Sequence, residues 1–269
     1  MSRLLFLLLL VSCGGGGGGY TEPSVPSGPV RDSIYFTYYG SEQGQVEAVA
    51  AHTNMAMVMG WDGLDIAIAE MQQAQARGLS VMLELPEAYQ SEAATRQKFT
   101  QLQALDLLRS IKAIYPIDEP DAVGLSAEKI AITNAMIRRV MTDFGINVPL
   151  AVIYSAKFTW PGIASYDWAG FDNYDADIFS NGDYARLKSM LRADQRILLV
   201  PGGADRWRQD PQPFINKANA DPQVVGIVAF IYRNNADPQR GASLGIKSNG
   251  MKGAYCAAGR TAINRPGMC

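Results

Sequence analysis

From residue 32 onward, short apolar runs alternate with stretches of helical periodicity. Strand candidates fall at 33–39, 55–61, 80–85, 113–118, 150–154, 168–172, 196–200 and 225–232. Their starts lie mostly about 20–35 residues apart, the spacing that strand–helix pairs need. Ile197-Leu198-Leu199-Val200 and Ile227-Val228-Ala229-Phe230-Ile231 are continuously apolar, as expected of strands covered on both faces. Between them, 65–77 is rich in Ala, Gln, Glu and Met and stops at Gly78, which suits a C-terminal cap. Helical patterns also occupy 92–110, 126–144, 183–192 and 213–218. Residues 158–165 leave room for a turn rather than a full helix between strands five and six.

Eight strands and about seven helices in alternation predict an α/β fold, a single-domain (β/α)8 TIM barrel with a reduced helix between strands five and six. The alternative is an open doubly wound sheet, but Tyr38-Tyr39-Gly40-Ser41 stands after strand one instead of a glycine-rich phosphate turn. A chain of 269 residues suits one such domain, and 48% hydrophobic against 19% charged residues is a globular composition. The net charge of −2 argues against nucleic acid as a partner. His52 is the single histidine, which excludes histidine-rich zinc sites. It lies before strand two, away from the carboxyl ends, and reads as a surface or satisfied histidine. No metal loop or cofactor motif is present in the sequence, so no metal and no cofactor are expected.

The N-terminus reads as an address. Arg3 precedes an eight-residue apolar run, Leu4–Val11, too short to span a bilayer and the length of a signal-peptide core. Leu10-Val11-Ser12-Cys13 resembles the bacterial lipobox. The resemblance implies a signal peptide over 1–12 and a lipidated Cys13. Six glycines and a Pro/Ser-rich stretch would form a tether over 13–31, leaving the barrel over 32–269. Gly14 after the cysteine implies the outer membrane of a bacterial envelope. With Cys13 lipidated, Cys256 and Cys269 remain as a disulfide pair in an oxidising compartment. A monomer held at the membrane by its lipid is expected.

In a barrel, residues at the carboxyl ends of strands face the active site. Those positions carry Tyr38, Trp61, Asp62, Glu84, Asp118, Glu119, Tyr154, Asp172, Tyr174, Asp175, Asp205 and Tyr232. Acids and aromatics dominate, which suits sugars: rings stack on pyranose faces, and carboxyl groups bind hydroxyls or transfer protons. Ile117-Asp118-Glu119-Pro120 is similar to the acid-bearing strand-four ends of TIM-barrel glycoside hydrolases, and Gly170-Phe171-Asp172-Asn173-Tyr174-Asp175 resembles their strand-six Asp/Tyr signature, the chitinase-like families included. The resemblance implies a glycosidase with Glu119 as proton donor. Two departures stand out. Pro201-Gly202-Gly203-Ala204-Asp205 occupies strand seven, where many retaining families place a nucleophilic Glu, and the spaced Asp-x-Asp-x-Glu of chitinases is absent.

The residues themselves support the same pair. Glycosidic cleavage needs one carboxyl group protonated and a second ionised. Asp118, Glu119 and Asp121 crowd together, and like charges disfavour mutual ionisation. Strand alternation predicts that Asp118 and Glu119 face opposite sides, with Glu119 as acid and Asp118 as its support. Asp172 is the second carboxylate, expected roughly 6–10 Å away. The upper part of that range suits an inverting base with a water between the acids; alternatively Asp172 orients a substrate acetamido group, or simply bonds Tyr174. Trp61, Tyr38, Tyr154 and Tyr232 are candidate stacking platforms, and Asp62, Glu84, Asp175 and Asp205 candidate contacts. The expectation is a surface-anchored glycoside hydrolase acting on a polysaccharide or cell-wall glycan. The competing readings are a barrel that binds polysaccharide without cleaving it or supports envelope assembly, and a deacetylase or lyase.

Overall fold

The side chains of each strand divide between two apolar clusters, as the two-residue period of a strand requires. In this computed structural model, which describes residues 34–40, 46–156, 159–174, 177–237, 241–265 and 267–269, the parallel strands are β1 (Tyr35–Tyr39), β2 (Met55–Val58), β3 (Ser80–Glu84), β4 (Ile111–Tyr115), β5 (Ala151–Tyr154), β6 (Trp168–Phe171), β7 (Arg196–Leu199) and β8 (Val224–Phe230). One cluster takes a side chain from all eight: Tyr39, Met57, Met82, Tyr115, Ile153, Trp168, Leu198 and Val228 are among its members, and none of its buried residues comes from a helix. The other joins the opposite strand faces to the helices α1 (Leu64–Ala76), α2 (Glu92–Ala104), α3 (Ala127–Asp143), α4 (Asp183–Met190), α5 (Gln212–Ala220) and α6 (Lys252–Ala262).

The strands form a five-stranded parallel sheet ordered β1-β8-β7-β6-β5 and a three-stranded parallel sheet ordered β2-β3-β4. A parallel bridge from Ile114 to Leu150 joins β4 to β5. Between β1 and β2 the side chain of Asn54 does the work of a strand: its Oδ1 accepts from the Phe36 N–H at 2.8 Å and its Nδ2 donates to the Ile34 carbonyl at 3.0 Å. The chain is therefore α/β, with sequential strands adjacent throughout.

Local chemistry sets the helix ends. Ser91 and Ser126 cap α2 and α3, each hydroxyl accepting a backbone N–H three residues on at 3.1 Å. Gly78, after α1, has φ +66°, a conformation glycine adopts without strain. A single 3-10 turn, Ile163–Ser165, fills the short β5–β6 connection. The long pattern over 92–110 breaks at Ala104 because Asp106 takes a positive φ of 56°, and Leu108–Ser110 resumes only as a 3-10 turn. Two features lie outside the predicted elements. The strands β9 (Asn235–Asp237) and β10 (Gly241–Ser243) form an antiparallel pair after β8, and α6 follows. Cys256 on α6 is joined to Cys269 by a disulfide. Among the described residues no helix is long and apolar enough to cross a membrane, and no group of His, Cys, Asp and Glu has the arrangement of a metal site. Residues 1–33, Cys13 among them, lie outside the described residues.

His52, expected to be a surface or satisfied histidine, is not at the surface. It is buried against Tyr38, ring centroids 5.5 Å apart, and its Nε2 has no hydrogen-bond partner among the described residues. Burial, with Arg260 and Lys252 nearby, pushes its pKa down to about 4.

Candidate active site

β4 ends at Tyr115, earlier than the sequence pattern suggests, so Asp118 and Glu119 sit on the connection that follows and are free of strand alternation. Both line one cavity of about 520 Å³, together with Tyr39, Ser155, Asp172, Asn173, Tyr174, Trp207 and Phe230. Glu119 reaches it with φ +40°, which a non-glycine residue adopts only at a conformational cost. Its amide donates to the Ile153 carbonyl at 3.1 Å. The same connection is tied to the end of β5 by Asp121, which accepts from the Ser155 amide at 3.0 Å and its hydroxyl at 2.6 Å.

Glu119 and Asp172 share a side-chain hydrogen bond. Asp172 follows β6, where its backbone bridges to Val200 beyond β7. Loss of solvation, then the charge and hydrogen bond of Glu119, raise the Asp172 pKa to about 8, against a donated bond from Tyr174. Two carboxyl groups so placed hold one proton between them near neutral pH.

Asp118 lies beside this pair. It accepts from the Tyr39 phenol at 2.6 Å and the Tyr115 phenol at 2.5 Å. Loss of solvation raises its pKa, and the two phenols oppose that rise. The two tyrosines fix the Asp118 carboxyl group from two strands.

The aromatic wall is continuous. Tyr39 meets Phe230 at 5.3 Å between centroids, Phe230 stacks on Tyr174 at 5.1 Å and 17°, and Tyr174 meets Trp207 at 5.2 Å. The glycines after β7 make this wall possible. A Cβ on Gly202 would lie 2.8 Å from Tyr174 Cδ1, and one on Gly203 would lie 2.4 Å from Ile246 Cγ1. Neither position has room for a side chain.

The remaining sequence candidates separate from the cavity. Tyr38 is buried on the opposite face of β1 against Tyr232 and Tyr255, which takes both Tyr38 and Tyr232 out of the site. Tyr154 is buried and donates to the Pro161 carbonyl at 2.8 Å. Asp205 accepts from Ser243 at 2.6 Å, and Asp62 pairs with Arg233 at 3.1 Å. Glu84 is buried, its Oε2 accepting the Gly60 amide at 2.8 Å, and burial raises its pKa to about 7. Trp61 is exposed beside Tyr39. Asp175 lies outside the described residues.

Tyr39 stands with Tyr38 at the end of strand one in the sequence but was given no role there, and Phe230 and Trp207 were not singled out. Tyr39 and Tyr38 differ only in strand register, and Phe230 is hidden in a uniformly apolar run. Trp207, an aromatic between Arg206 and Arg208 in a polar loop, carried the one legible signal.

No protein-family model matches the sequence, and no curated protein matches it significantly. The fold is similar to solved structures. ScGas2 in complex with a compound aligns with TM-score 0.56 and 10% identity, covering 88% of this chain and 66% of that one. A mutant of Saccharomyces cerevisiae Gas2p with laminaritetraose and laminaripentaose aligns at 0.55 and 11%, covering 84% and 61%. An active-site mutant of a Rhizomucor miehei β-1,3-glucanosyltransferase with laminaritriose aligns at 0.57 and 12%, covering 79% and 92%. The chain thus spans 61–66% of the length of these two Gas2 chains, and the likeness is one of fold.

Proposed function

We propose that the protein is a glycan-processing enzyme, a glycoside hydrolase or glycosyl transferase of the transglycosylating kind, with Glu119 and Asp172 as a single acid–base unit. The observation that carries this reading is the hydrogen bond between the two carboxyl groups in a cavity walled by aromatic rings. The two clusters of strand side chains and the bridge from β4 to β5 support an eight-stranded barrel, with the pair at its carboxyl-terminal end.

The chemistry follows from the shared proton. A glycosidic oxygen seated against Glu119 takes that proton. The C1–O bond then breaks, its electrons staying on the departing oxygen. The two carboxylates left behind stabilise the positive charge that develops on the sugar ring. Water, or a hydroxyl of a second sugar, adds to C1 and returns a proton to the pair. Water gives hydrolysis, and a sugar hydroxyl gives transfer. Asp118, held by Tyr39 and Tyr115, adds a third acidic group behind the pair.

A second reading, polysaccharide binding without cleavage, is favoured by one observation. No Glu lies between β7 and α5, and the carboxylates there, Asp205 and Asp210, do not line the cavity. One panel separates the two: laminarin, laminari-oligosaccharides, chitin oligosaccharides and cell-wall glycans, with reducing ends and product lengths measured. Shorter products mean hydrolysis and longer ones transfer. Retention of a glycan with no change in its length supports binding alone.

The envelope location belongs to the same proposal. Leu10-Val11-Ser12-Cys13 and the glycine tether support export and lipid anchoring at Cys13, as a monomer carrying the glycan site outside the cytoplasm. Metabolic labelling with a radioactive fatty acid tests it: label on the wild type and none on Cys13→Ser is expected.

A further inference from the structure

A large apolar ring left half in water forgoes part of its burial free energy. Trp61 is 52% exposed. Its turn, Gly60–Asp62, is nevertheless fixed from several sides. The buried carboxylate of Glu84 accepts the amides of both Gly60 and Trp61, the first at 2.8 Å. Gly60 packs so closely that a Cβ there would lie 2.5 Å from Pro86 Cδ and 2.8 Å from the Glu84 carbonyl oxygen. At the other end, Asp62 pairs with Arg233 at 3.1 Å, and the Arg233 amide donates to the Gly40 carbonyl just after β1. A buried carboxylate, a sterically required glycine and an ion pair thus hold an apolar ring in water.

What the ring adjoins gives the reason. Trp61 packs edge-to-face on Tyr39, centroids 6.0 Å apart at 72°. Tyr39 lines the cavity and donates to Asp118. Trp61 is therefore the solvent-exposed end of the ring series that continues through Phe230 and Tyr174 to Trp207. We propose that Trp61 is a distal platform for the same glycan chain that occupies the cavity, and that Glu84 is the positioning residue that holds the platform in place.

The proposal rests on the glycan-processing reading and refines its substrate to a chain several sugars long, extending from the bond at Glu119 past Tyr39. An aromatic face meets the C–H face of a pyranose without reading its hydroxyls, so the platform selects for length rather than linkage.

The test uses the full chain with laminarin and glycol chitin in affinity gels, alongside kinetics on laminarin and laminaritriose. Trp61→Ala is expected to weaken retention by the preferred polysaccharide about three- to tenfold. Its KM should rise by a similar factor on the polymer, with a smaller rise on the trisaccharide and kcat within about twofold, while Trp61→Phe recovers most of the loss. Glu84→Ala should raise KM as Trp61→Ala does, and Glu84→Gln, which keeps an acceptor for the two amides, should restore it. Thermal melts identify any variant that has lost its fold; Trp61→Phe and Glu84→Gln keep the comparison open in that case. Polymer retention and KM unchanged in Trp61→Ala overturn the proposal while leaving the function intact. If the wild type neither retains nor cleaves either glycan, the functional reading fails and this proposal with it.

Discussion

Glu119 and Asp172, fifty-three positions apart in the chain, meet in a direct hydrogen bond at the ends of β4 and β6. The contact makes the two groups one titrating unit, and under the proposed function the pH dependence of catalysis should report it. Burial and the adjoining charges hold the shared proton on the pair to higher pH than on an isolated carboxyl group, so kcat/KM should fall on the alkaline side as that proton is lost. Asp172→Asn removes the like charge beside Glu119. The alkaline limb of the profile should then move to lower pH. A limb that stays in place would assign it to another group.

The glycine at 202 is predicted to tolerate no side chain. Gly202→Ala drives a methyl into Tyr174 Cδ1 and the Trp207 carbonyl oxygen, each 2.8 Å away. Overpacking of this kind costs about 1–3 kcal/mol. The melting temperature should fall by about 2–4 °C per kcal/mol. Because Tyr174 also donates to Asp172, the same variant should lose activity in excess of its lost stability.

His52 makes stability sensitive to acid. Its folded pKa of about 4 lies below the ordinary 6.5, so the unfolded chain takes up the proton first as pH falls. Its contribution is complete above pH 6.5 and is lost as pH drops towards 4, by about 3 kcal/mol. Urea unfolding of the wild type and His52→Gln at pH 7 and pH 4.5 checks this. The wild type should lose more stability over that interval than the variant. Glu84, with its pKa raised to about 7, acts in the opposite sense: stability is greatest below its ordinary value of 4.5 and declines as pH rises towards 7. Glu84→Gln should remove that decline.

The disulfide between Cys256 and Cys269 closes a separation of thirteen residues and fastens the C-terminus to α6. The chain-entropy model gives about 3 kcal/mol for a loop of this size. Non-reducing mass spectrometry should find this link. Cys269→Ser should destabilise by about 2–3 kcal/mol, with the fastest hydrogen exchange gain in α6, whose Gly259 packs against Phe36 and the His52 carbonyl.

Much of the framework was legible before the structure. Eight apolar runs announced eight parallel strands because each is covered on both faces and carries no competing pattern. Glu119 and Asp172 stood out as candidates because acids near strand ends, before a proline or an Asn-Tyr pair, are conspicuous against an apolar background. What failed was register. Tyr38 and Tyr39 are identical in chemistry and adjacent in sequence, and a one-residue phase decides which enters the cavity. The fate of Asp118 turned on β4 ending at Tyr115, a boundary marked by Pro116, which reading 113–118 as one strand ran through. Glu84 and Asp62 were recognised as acids near strand ends, yet their partners are a backbone turn and an arginine on distant segments. Pairings across such separations depend on tertiary geometry, which local pattern does not encode.

The central claim concerns one proton on one pair. The most direct measurement compares kcat/KM of wild type and Glu119→Gln on a glycan the wild type processes, at pH 6, with glycan affinity measured in parallel. Glu119→Gln keeps the shape and a hydrogen bond to Asp172 while removing the acid. A fall of about 100-fold or more in kcat/KM, with affinity held within a few-fold, is the predicted result. Equal rates in the two proteins would contradict the assignment of Glu119 and Asp172 as the acid–base unit.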